Sequence, residues 1–267
     1  MILARYDYEG HTRWLLPSRI TMPVLIVLML VVHFALQIFS ANFSFSEWEW
    51  GGAILYLLSG GLILLVAAES FRHAVSERSQ FDLFQGIALC MLSVTFLFIG
   101  LGLAGLFGLL AQDNASLGYY LLVFGLGLSG IFFLFAPRQG KLHAAPHIVM
   151  VSLALLIVFL VGLYQLHATL PSLFIADGVP SLWRQQLVTI VQVLFVLASI
   201  RYALLNRGKT SQSAQWHLIG MGTLALIATD FLLSTGPGDA YSWAGRLFTV
   251  LAAGAFIQSL WWKQKGE

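Results

Sequence analysis

The sequence predicts an all-α fold: a polytopic bundle of eight transmembrane helices with both termini in the cytoplasm. Three observations predict it. Apolar residues make up 58% of the 267 residues and charged residues 10%, too little polar surface for a soluble globule. Eight apolar stretches approach or exceed the roughly 20 residues that cross a bilayer core of about 30 Å. The basic residues between those stretches fall in alternate gaps, as they do where cytoplasmic loops retain Lys and Arg.

The stretches are residues 20–40, 51–68, 83–111, 118–136, 147–166, 185–205, 216–235 and 243–262. Arg5, Arg13 and Arg19 precede the first, and the gap after it holds Glu47 and Glu49 with no basic residue. Arg72 and Arg78 follow the second stretch, and Arg138 and Lys141 the fourth. Arg207 and Lys209 follow the sixth, and Lys263 and Lys265 the eighth. Of 14 basic residues, Arg184 and Arg246 alone fall on the other side. The number of spans is therefore even, and the expected location is the inner (cytoplasmic) membrane, with multiple passes.

Residues 1–267 read as one transmembrane domain, and no soluble domain fits beside the spans. Residues 1–19 mix aromatics with Arg and read as a cytoplasmic segment lying along the headgroups. They do not read as a cleaved signal peptide, and the first span is expected to be a retained anchor. Trp48 and Trp50 fit an aromatic belt on the far side. In spans three and four, Gly100, Gly102, Gly105, Gly108, Gly125, Gly127, Ser129 and Gly130 let helices approach closely. These two spans are expected to form a tight antiparallel hairpin. Residues 167–184 form the longest external gap; Pro171, Gly178 and Pro180 interrupt helix there, while Leu170, Leu173, Phe174 and Ile175 are placed to rest on the membrane surface. A turn-rich link, residues 234–243, joins the last two spans.

Ionisable side chains inside a membrane are costly and tend to face a partner or a cavity. Asp230 lies about one turn from the outer end of span seven, and Arg246 about one turn into span eight. Their similar depth on adjacent helices predicts a structural ion pair. His33 and Gln37 lie in the outer half of span one, Tyr164 and Gln165 near the outer end of span five, and Gln192 in the outer half of span six. With Asp230 and Arg246 these form a candidate ligand-binding pocket in the outer half of the bundle.

No catalytic residue, metal site or cofactor is predicted. The single cysteine, Cys90, excludes a disulfide within the chain. His143 and His147 are four apart, with Pro146 between them, and His73 and His217 lie near the cytoplasmic boundary. These read as interfacial histidines without a ligand, since His-rich boxes with supporting carboxylates are missing. His33 has no histidine partner at its depth for a haem. Lys263 and Lys265 follow the last span, so no lysine is expected inside one. Phosphate loops and nucleophile elbows are likewise not found. The basic residues serve topology, so nucleic acid is not an expected partner.

The closing stretch DFLLSTGPGDAYSWAGRLFTVLAAGAF contains an acidic residue, a Tyr-Ser pair and an Arg: Asp230, Tyr241, Ser242 and Arg246. It resembles the closing segment of bacterial membrane-associated sensor (MASE-type) domains, which precede histidine kinase or diguanylate cyclase modules. The Tyr-Trp step usual in that segment is missing. The resemblance extends as a pattern over most of the chain: eight spans, cytoplasmic ends and short loops. It implies a non-enzymatic membrane sensor or binding module. Because the chain stops at Glu267, where a linker to an output domain would begin, the expected partners are the lipid bilayer and a membrane or cytoplasmic protein through which it acts. Two alternatives remain open: an accessory or anchoring subunit of a larger membrane complex, redox or photosynthetic, and a small-solute transporter.

Overall fold

A computed structural model describes residues 4–6, 12–14, 31, 35, 49–104, 115–136, 145–166, 169–173, 180–206, 211–234 and 239–265. Apart from Val31 and Ala35, the first expected span lies outside the described residues. Near the N-terminus, β1 (Ala4–Tyr6) and β2 (Thr12–Trp14) pair antiparallel, with Arg5 opposite Arg13. Among the described residues, seven α-helices are long and apolar enough to cross a membrane. They are α1 (Glu49–Ser76), α2 (Gln80–Leu103), α3 (Ala115–Phe135), α4 (Ala145–Leu166), α5 (Leu182–Leu205), α6 (Gln212–Leu233) and α7 (Ala240–Gln264).

Four of these helices start three or four residues before their apolar runs. Each is capped by a short polar side chain that accepts from the backbone three residues on. Ser79 accepts from Asp82 N, Ser181 from Arg184 N, Ser211 from Ala214 N and Asp239 from Ser242 N. Capping satisfies N–H groups that lack an intrahelical partner. The polar first turn is therefore helix, although hydropathy does not mark it. At its other end α1 runs on to Ser76 through AESFRHAVS, past the apolar limit at residue 68.

Six helices close a ring in the order α1, α2, α3, α5, α6, α7. Side-chain contacts set the registers. Ser93 of α2 donates to Gly60 O of α1 at 2.8 Å, so α1 and α2 are antiparallel. Ser59 of α1 bonds Thr249 of α7 at 2.8 Å and Gln264 reaches Glu69 at 3.1 Å, so α1 and α7 are parallel. Phe96, Phe133, Phe195, Leu224 and Phe256 fill the interior. Helix α4 packs from outside on α1, α2 and α3, and most of its apolar side chains are exposed.

Spans three and four pack as neighbours, α2 on α3, but their glycines serve further contacts as well. A Cβ on Gly100 would lie 2.8 Å from Leu57 Cγ and 3.0 Å from Leu57 N, so Gly100 serves the α1–α2 contact. Gly60 makes the reciprocal approach to Leu97. Gly125 does abut Thr95 of α2, but Gly127 and Gly130 face Val191 and Leu194 of α5. Close packing is thus shared over three interfaces. Gly105 and Gly108 lie outside the described residues.

The gap between α4 and α5 also differs from expectation. Leu173 is 1% exposed, packed with Leu117, Tyr120, Leu121 and Leu163 rather than spread on a membrane surface. The Tyr120 hydroxyl donates to Pro171 O, and Ser181 N donates to Leu173 O at 3.0 Å. Backbone groups that find protein partners let an apolar side chain turn inward. Phe174 and Ile175 lie outside the described residues.

Candidate functional site

The sequence marks one end of the bundle as the polar one, and three charged side chains are buried there. They belong to helices whose termini converge at that end. Arg184 is at 0% exposure, Asp230 at 0% and Arg246 at 5%. Arg184 and Arg246 are the two basic residues that break the charge alternation of the sequence, and both are enclosed by protein.

Arg184 is held in the first turn of α5 by the Ser181 cap. Its guanidinium crosses to the end of α6, where Nη2 donates to Phe231 O and, at 2.6 Å, to Ser234 O. The last carbonyls of a helix lack intrahelical donors and carry the negative end of its dipole, so a cation is favoured there. The guanidinium carbon also lies 4.7 Å from the Phe231 ring centroid and 5.8 Å from that of Tyr119. Such contacts strengthen as water is excluded.

Arg246 turns toward α1. Its guanidinium carbon is 4.8 Å from the Trp243 ring centroid. A Cβ on Gly52 would lie 2.6 Å from Arg246 Nη1, so the absence of a side chain at Gly52 makes room for the guanidinium. Tyr56, one turn further along α1, lies against the same group. Asp230 sits on the α6 face that meets α7: a Cβ on Gly245 would be 3.7 Å from Asp230 Cβ. Asp230 thus lies against position 245 of α7, next to Arg246, and both side chains are buried at the same end of the α6–α7 hairpin.

The other candidates divide. Gln192 is brought in: its Nε2 donates to Thr229 Oγ1 at 2.8 Å, beside Asp230 on α6. Tyr164, 50% exposed, and Gln165 lie on the outer surface of α4, a helix outside the ring. His33 and Gln37 lie outside the described residues. Arg184, Tyr56, Tyr119 and Gly52 join the site although the sequence reading did not select them. For Arg184 a signal existed: a basic residue in an otherwise base-free gap, three positions after a capping serine.

Two guanidiniums and a carboxylate in a poorly hydrated place supply strong electrostatic and hydrogen-bonding power. They suit binding an anionic or polar group, or locking helix ends.

Among the histidines, His217 is enclosed by protein, and the last helix extends past its apolar run. His217, in the second turn of α6, is 1% exposed and enclosed by the rings of Phe133, Tyr202 and Phe256. Helix α7 continues through Lys263 to Gln264, so the helix reaches past the apolar run and includes a lysine. His147 is exposed, and His143 lies outside the described residues. Among the described residues, no three His, Cys, Asp or Glu side chains are grouped to hold a metal ion. No protein-family model, curated protein or solved structure matches this chain.

Proposed function

We propose that this chain is an integral membrane sensor or binding module of the MASE type that acts through a partner protein. In this reading it lies in the inner membrane with eight spans and both termini in the cytoplasm. One observation carries the reading: a single helix, α7, carries a buried cation near its start and a partly buried ion pair near its end. Arg246 is enclosed near its start, and Lys263 near its end bonds Asp82 of α2. The two positions are separated by about 26 Å of helix at 1.5 Å per residue. A change at Arg246 and Asp230 therefore has a rigid element through which to reach the opposite end. The buried cations and carboxylate form the sensing site, and α7 is the element that reports its state.

The test is co-purification of the full chain from native membranes in mild detergent, followed by identification of what remains bound at equal stoichiometry. A kinase or nucleotide-cyclase partner whose output changes in Asp230→Asn or Arg246→Gln supports the proposal. A stable redox or photosynthetic complex, or a partner output indifferent to both substitutions in folded protein, overturns it.

A further inference from the structure

The end of the bundle opposite Arg184, Asp230 and Arg246 holds a second polar centre, where α7 finishes and α2 begins. Asp82 is in the first turn of α2 and is 3% exposed. Lys263 Nζ, from the last turn of α7, donates to Asp82 Oδ1 at 2.5 Å. Each charge sits where its own helix dipole favours it, the carboxylate at an N-terminus and the ammonium at a C-terminus. The pair joins helix ends 181 residues apart in the chain.

Behind it lies a cavity of about 30 Å³, lined in part by Gln85, Tyr202, Ser213, His217 and Ser259. That volume and lining suit a single water molecule. Gln85 Nε2 lies 3.4 Å from His217 Nδ1, and the His217 ring lies 4.7 Å from Tyr202 and 5.3 Å from Phe256. The Ser213 and Ser259 hydroxyls each donate to the other's carbonyl, at 2.8 and 2.9 Å. From α1, His73 lines the cavity and Glu69 accepts from Gln264 at 3.1 Å. The turn from α1 into α2 is strained, because Arg78 has φ 54°, a left-handed conformation unfavourable for a residue with a Cβ.

The middle of α7 is held mainly by apolar packing, which encloses the buried Ser59–Thr249 hydrogen bond. A Cβ on Gly220 would lie 2.8 Å from the Phe256 ring, and Phe256 stacks on Phe133 at 5.7 Å. Apolar interlocking resists opening, whereas polar contacts beside a water-sized cavity can be exchanged for water. The two parts of α7 thus differ in what it takes to move them.

We propose that the Asp82–Lys263 pair is a latch that holds the last turns of α7 to α2, and that its opening frees this end of α7 while the middle stays packed. Its consequence for signalling rests on the sensor reading above, in which this end of α7 reports to the partner.

Hydrogen–deuterium exchange of the full chain in lipid nanodiscs tests the latch without the partner. Lys263→Met should raise exchange in the segment 260–265 about tenfold, a loss of roughly 1.4 kcal/mol of local protection. Residues 248–256 should keep their protection. Lys263→Arg, which retains the charge, should restore protection of 260–265. Should Lys263→Met not insert, Asp82→Asn reads the same contact from the other side. An even rise along all of α7, or no rise at 260–265, overturns the latch. Partner output is read separately: local opening without any change in output upholds the latch and overturns the sensor reading.

Discussion

At Asp230 and Arg246 the cost of burial sets the expected behaviour. Both side chains are enclosed at the same end of the α6–α7 hairpin. An Asp230–Arg246 ion pair, the expectation from their depth in the sequence, would make removal of one charge cost about 3–5 kcal/mol, because the other charge is then left in a poorly hydrated place. Asp230→Asn and Arg246→Gln are each expected to lower thermal stability in detergent by an amount toward the lower end of that range. The double variant should lose less than the sum, with a coupling of about 0.5–3 kcal/mol. Strict additivity in the unfolding curves would show that the two charges do not interact. Arg184 belongs to the same end but is anchored to carbonyls of α6, and was legible in sequence only as a basic residue out of place.

Between α1 and α2, glycine on each helix permits close approach. Gly60 and Gly100 each sit where a Cβ would meet a leucine backbone nitrogen at 3.0 Å on the other helix. Gly100→Ala must push α1 from α2 or distort Leu57, and overpacking of this kind costs about 1–3 kcal/mol. Gly61, one residue from Gly60, has nothing within 4 Å of its would-be Cβ. Gly61→Ala should be neutral or stabilise slightly, since alanine is the better helix former. Melting temperatures of the two variants in one detergent check this, and equal effects would refute the assigned packing. A glycine pattern identifies a surface that can approach closely. It does not identify the partner: of the glycines in spans three and four, Gly125 serves the contact between those two spans, while Gly100, Gly127 and Gly130 serve others.

For the whole molecule, the alternation of charge predicts which ends lie together. The structure places the starts of α5 and α7 and the end of α6 around one polar centre, and the end of α7 and the start of α2 around the other. With eight spans, a reporter that works only in the cytoplasm should be active when fused at Glu267. One fused within the α6–α7 link should be inactive. Activity of a periplasm-only reporter at Glu267 would overturn the topology. Seven of the eight expected spans correspond to described helices, with limits moved by capping at their starts and by polar turns at their ends. Helix α4 has no sequence mark of its place outside the ring, because a lipid-facing apolar residue and a core-facing one look alike.

What the sequence determined by itself is the set of apolar helices and the rarity and rough depth of their charges. Both follow from local length, hydropathy and the cost of exposing polar groups to lipid. Tertiary structure alone decided which helix faces meet. It turned Arg184 from an expected loop residue into a buried cap on α6, enclosed His217 in aromatic rings, and joined Lys263 to Asp82 across 181 residues. Such contacts depend on the register and rotation of helices far apart in the chain. Periodicity within one helix does not encode them, because each face acquires its meaning from the helix packed against it.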